Sequence, residues 1–139
     1  MNQDSKQCDI KNADDENAVA YAYYERALEN LYRNSEEALA DSNRCIEIWE
    51  RLRDAGKLQD ENDLNMAYMN RGDIYNTMKE YVKAAEYYDR CIEIWEGLQG
   101  TGDKDFNETA LAFAYYKRRM LENSIDGQSE ITEIEDAML

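Results

Sequence analysis

The sequence predicts an all-α fold, an array of antiparallel helix pairs, on three observations. The 139 residues hold no proline and only six glycines, so little forces the chain out of helical geometry. β-Branched residues are sparse, and no segment alternates apolar with polar residues as a half-buried strand does. The heptapeptide RCIEIWE is written twice, at Arg44–Glu50 and Arg90–Glu96, 46 positions apart. A repeat at a period in the forties is the mark of stacked helix pairs.

The elements follow in order. Residues 1–15 read as a polar, disordered leader, residues 16–124 as the array, and residues 125–139 as an acidic tail or short capping helix. The run Ala20-Tyr21-Ala22-Tyr23-Tyr24-Glu25-Arg26 opens a first helix and is echoed 92 positions later, by Ala112 through Arg118. Ala67 through Gly72 fits between them with a one-residue slip. Asn34-x-x-Glu37 is a capping box that starts the second helix, whose apolar face is Ala38, Ser42, Cys45, Ile46, Trp49 and Leu52. The acids of Asp60-Glu61-Asn62-Asp63 suit the start of a third, since they oppose the positive end of the helix dipole. The fourth carries the same face as the second, in Ala84, Tyr88, Cys91, Ile92, Trp95 and Leu98. Tyr87, Cys91, Ile94 and Leu98 give it a second face, so it packs between two neighbours. Gly97, Gly100 and Gly102 end it and make a linker, and Asp105-x-x-Glu108 caps a fifth. Beyond a break expected at Gly127, Ile131, Ile134 and Met138 keep helical spacing.

Within this frame Tyr68-x-x-Arg71-Gly72-x-x-Tyr75 and Ala84-x-x-x-Tyr88 resemble the tetratricopeptide repeat. The resemblance is strongest over residues 66–98, weaker over 20–52, where Ala27 stands in the glycine slot, and partial over 112–122, where Arg119 does. It implies an α-solenoid of about two and a half repeats. The proline that usually ends a unit is replaced by Glu96, so the second helix runs on and the period lengthens, as in kinesin light chains and bacterial peptide-sensing regulators. The duplicated heptapeptide is then second-helix core, and both tryptophans are packing residues.

Composition narrows the function. A net charge of −15 opposes nucleic acid and anionic membranes, both of which ask for a positive footprint. No apolar run has the length of a membrane span, and Met1 through Lys6 is no secretory signal. Three cysteines without a C-x-x-C pair fit a reducing, cytoplasmic setting. With no histidine the commonest general base and transition-metal ligand are absent. Cys45 and Cys91 occupy equivalent core slots and read as small hydrophobes, and Cys8 as an idle thiol. Asp103-Lys104-Asp105-Phe106-Asn107 begins like a calcium loop but puts Glu108 where the turn glycine belongs, so no metal is expected. No cofactor and no catalytic residue are expected. Tyr23/Arg26, Tyr68/Arg71 and Tyr115/Arg118 repeat once per first helix, which favours a stack or an ion pair with a neighbouring helix over an anion site.

The resemblance implies that the first helix of each unit lines a concave groove. There it would place Tyr21, Tyr24 and Leu28; Met66, Met69 and Asp73, with Asn76 further along; and Phe113, Tyr116 and Met120. Eight of those nine principal groove residues, all but Asp73, are apolar or aromatic, unlike the lysines and asparagines with which chaperone-binding relatives clamp a terminal carboxylate. The expected function is non-enzymatic binding of a protein or peptide, through an apolar or amphipathic segment. The alternatives are a self-associating structural protein, a weak homodimer at most given the charge, and a small acidic chaperone of the secretion type.

Overall fold

The computed structural model describes residues 3–104 and 106–139, with side chains from residue 12 onward. The expected cap at Asp105 and the reading of Cys8 as an idle thiol lie outside the described residues. Those residues form five helices and no strand: α1 (Gln3–Asn30), α2 (Ser35–Asp54), α3 (Glu61–Thr77), α4 (Tyr81–Leu98) and α5 (Glu108–Met138). Each helix packs on the next in sequence, and α3 also touches α5. The result is two helix hairpins and a fifth helix, stacked in chain order.

Two boundaries differ from the sequence expectation. Helix α1 starts at Gln3 and so takes in most of the segment assigned to a disordered leader. Asp14, near the end of that segment, accepts from Gln59 at 2.6 Å, and just beyond it Glu16 accepts from Arg51 at 2.8 Å and Asn17 from the Trp49 indole at 2.9 Å. At the other end α5 runs through Gly127 to Met138, so residues 125–138 continue it rather than forming a tail or a separate helix. A helical glycine costs only about 1 kcal/mol against alanine, too little by itself to end a helix.

The caps explain where helices begin. Asn34 accepts from the Glu37 N–H at 3.2 Å, Asp60 from the Asn62 N–H at 2.9 Å, and Asn107 from the Ala110 N–H at 3.0 Å. Each satisfies an N–H left over at a helix start.

The core runs through the stack. Trp49 and Trp95 are fully buried, with Ala38, Ser42, Cys45, Ile46 and Leu52 on α2 and Ala84, Tyr88 and Cys91 on α4. The heptapeptide is thus second-helix core in both copies. Each indole donates to an asparagine of the preceding first helix, Trp49 to Asn17 at 2.9 Å and Trp95 to Asn62 at 3.0 Å. Tyr68 is buried against α4, and Tyr68 and Tyr75 both stack on Tyr87.

Candidate binding cleft

Helices α1, α3 and α5 are the first helices of their units, and side chains from all three meet in one cleft of about 260 Å³. It is lined by Tyr24, Leu28, Met66, Met69, Asn70, Asp73, Phe113 and Lys117. Six of the nine principal groove residues expected from the sequence therefore meet: Tyr24, Leu28, Met66, Met69, Asp73 and Phe113. Tyr116 joins Thr109, Ala112 and Phe113 in an adjoining recess. Tyr21 and Met120 line neither.

The nine are not equally available. Tyr21 packs edge-on against Trp49, with ring centroids 5.1 Å apart, and its hydroxyl donates to Asp63. Burial, more than that bond, pushes the Tyr21 phenol up. Tyr24 is half-buried 5.9 Å from the same indole. Met69 is only 4% exposed and belongs to the core, although its edge forms the cleft floor. Leu28, Phe113, Tyr116 and Met120 are exposed.

Of the polar residues in the cleft the sequence points to Asp73 but not to Asn70 or Lys117. Asp73 accepts from the Tyr88 hydroxyl at 2.5 Å and from Lys117 Nζ at 2.9 and 3.1 Å. One carboxylate thereby ties α3 to α4 and α5, and the lysine it holds is not free to clamp a ligand. Asn70 is 4% exposed, and its side-chain oxygen has no hydrogen-bond partner. A buried acceptor left alone costs about 1–3 kcal/mol. Asn70 and Lys117 each follow an expected groove residue by one position. Their signal in the sequence was adjacency to the stripe and nothing stronger.

The repeated Tyr-x-x-Arg pairs are structural, as expected. Arg26 grips the buried Asp41 of α2 through two bonds of 2.8 and 2.7 Å, and Arg118 reaches Asp89 of α4 at 2.8 Å. Arg71 instead lies over the Tyr87 ring, 5.2 Å from its centroid. A related pattern went unread in the sequence. The arginine that opens each heptapeptide covers the tyrosine of the facing first helix, Arg44 over Tyr23 at 5.6 Å and Arg90 over Tyr68 at 4.7 Å.

Burial pushes the Cys45 and Cys91 thiols up to about 12, and Cys91 donates to the Asn65 carbonyl at 3.3 Å. A thiol so held is a poor nucleophile at neutral pH. Among the described residues no cluster of three or more carboxylates and thiols could hold a metal ion, and no helix is long and apolar enough to cross a membrane.

Residues 66–97 match the family model of the tetratricopeptide repeat. That span takes in α3 from its second turn onward and all of α4 but Leu98. No curated protein and no solved structure matches the chain.

Proposed function

The chain belongs to the tetratricopeptide-repeat family through residues 66–97, and on that premise we propose that it is a non-enzymatic binding module whose cleft takes an extended or helical peptide segment. The carrying observation is the cleft walled by Tyr24, Leu28, Met66 and Phe113, with Asn70, whose buried oxygen has no partner, in its lining. Apolar walls supply contact area, and a single buried acceptor fixes the register of a ligand N–H. The ligand's apolar side chains would sit between Leu28 and Phe113. The net charge of −15 favours ligands with basic flanks, by steering their approach.

Selection from a displayed peptide library, followed by calorimetry on the best binders, tests this. Leu28→Glu places a charge in the cleft at an exposed position, so the fold stays and binding is lost. Asn70→Ala removes an unsatisfied buried group. It should leave stability equal or higher while weakening binding about tenfold, the worth of about one hydrogen bond. Full binding by the Leu28→Glu chain would move the site elsewhere.

A further inference from the structure

An apolar surface continues from the cleft along α5 and shares Phe113 with it. Phe113, Tyr116, Met120, Ile131, Ile134 and Met138 are all exposed on α5. At 3.6 residues per turn they fall within an arc of about 60° and run along about 37 Å of helix. The face that α5 buries, with Leu111, Ala114 and Leu121, points another way. Every residue from 128 to 139 is exposed. A lone helical end of this length is marginal in water, and exposed apolar side chains grouped over 113–120 and again over 131–138 call for a cover.

We propose that the cover is a second copy of this chain, its α5 laid antiparallel on the first about a two-fold axis between Ile125 and Asp126. The stripe is a palindrome about that point. Phe113 falls opposite Met138, Tyr116 opposite Ile134, and Met120 opposite Ile131, each to within about one residue or 1.5 Å. At the centre Ser124 meets Gly127, small residues where two backbones can approach. Nothing within 4 Å would obstruct a Cβ on Gly127 in the single chain, so the protomer's own packing does not ask for a glycine there. A two-fold contact requires this self-complementarity; a foreign partner does not.

The charges agree with the same axis. On one flank of the stripe Arg119 comes within about two residues of facing Glu130. Arg119 has no ion pair among the described residues, whereas Lys117 on the other flank is already held by Asp73. Parallel pairing would instead set the acids Glu130, Glu133, Glu135 and Asp136 against their own copies. The −15 charge of each protomer opposes association at long range. That repulsion is screened beyond about 8–10 Å at moderate salt, so the dimer tightens as salt rises. The pairing leaves Tyr24, Leu28 and Met66 uncovered but takes up Phe113, so a second copy and a cleft peptide compete for that ring, and the dimer itself does not require the peptide.

Sedimentation equilibrium on the full chain at low and high salt is expected to show a dimer, tighter at high salt. Ile131→Asp with Ile134→Asp, both exposed in the protomer, should weaken it at least about 100-fold while the protomer stays folded, its melting point by circular dichroism matching that of the parent at concentrations where the parent is a monomer. Geometry is read by cysteines placed in a Cys8→Ser chain. Ser124→Cys should join two copies on mild oxidation. Ile134→Cys should not, because antiparallel pairing holds the two sites about 25 Å apart. A monomer at every concentration and salt would overturn the proposal, a different partner then being the cover. So would a dimer that survives the double aspartate change, or faster cross-linking at position 134 than at 124.

Discussion

The ring of Tyr88 fills the space in which Gly72 has no side chain: a Cβ on Gly72 would stand 2.6 Å from Cε1 of that ring. In the first hairpin the equivalent positions are Ala27 and Ser42, both buried, so a larger residue on one helix goes with a smaller one opposite. Gly72→Ala should therefore destabilise the protein by about 1–3 kcal/mol, the usual cost of overpacking. In a Tyr88→Ser background the clash is gone, and the same change should stabilise by up to about 1 kcal/mol through helix propensity. Urea melts of the four chains measure the difference. Equal effects in both backgrounds would show that the two positions are not coupled.

Trp49→Ala and Trp95→Ala should each cost about 3–5 kcal/mol, as for any large buried aromatic. Each also strands the asparagine oxygen that its indole satisfied, on Asn17 or Asn62. Thermal melts followed by circular dichroism should show most of the helix lost at room temperature in both variants. A Trp95→Ala chain that melts like the parent would remove this indole from the core.

Lys79 closes the turn between α3 and α4 with a φ of 63°. Its N–H donates to the Asn76 carbonyl at 3.0 Å, and the Glu80 N–H to Tyr75 at 2.9 Å, the bonds of a left-handed helix cap. A side chain in this region costs about 1 kcal/mol that glycine does not. Lys79→Gly should raise stability by about that amount, despite the freer unfolded chain. Differential scanning calorimetry would show a higher Tm, and a lower one would mean that the lysine side chain does more than fill the turn.

Alkali should unfold the protein early. Burial raises the Cys45 and Cys91 thiols from an ordinary 9.0 to about 12 and raises the Tyr88 phenol as well. Below pH 9 both states keep these protons, and stability is unaffected. Above it the unfolded chain releases protons that the folded chain retains, so stability falls progressively toward pH 12. Melting temperatures measured from pH 7 to 11 should be flat, then drop. Cys45→Ala with Cys91→Ala should soften that drop, and an unchanged profile would exclude the thiols as its cause.

The sequence made the hairpins legible because a duplicated, strictly periodic core writes itself twice. Trp49 and Trp95 could be assigned to packing from register alone. The cleft was legible in part, since helical spacing gives direction but not depth. Met69 and Leu28 share a stripe, yet one lies in the core and the other at the surface. Asn70 was hidden because an unpartnered oxygen is a property of three dimensions. The start of α1 ahead of residue 16 was hidden because that segment is polar, and Asp14 looks solvent-facing until its partner Gln59 in the loop after α2 is known.

Helix α3 packs against α2, α4 and α5, whereas α1 and α5 lie at the two ends of the stack. In a linear array each unit leans on its immediate neighbours, and opening proceeds in steps from whichever end is weaker. Amide protons in the last turns of α5 should therefore exchange with solvent first in the protomer, and those of α3 last, at the rate of complete unfolding. A protease cutting at the exposed Gly100–Gly102 linker would release α5 and bare the inner faces of α3 and α4, turning an orderly peeling into aggregation.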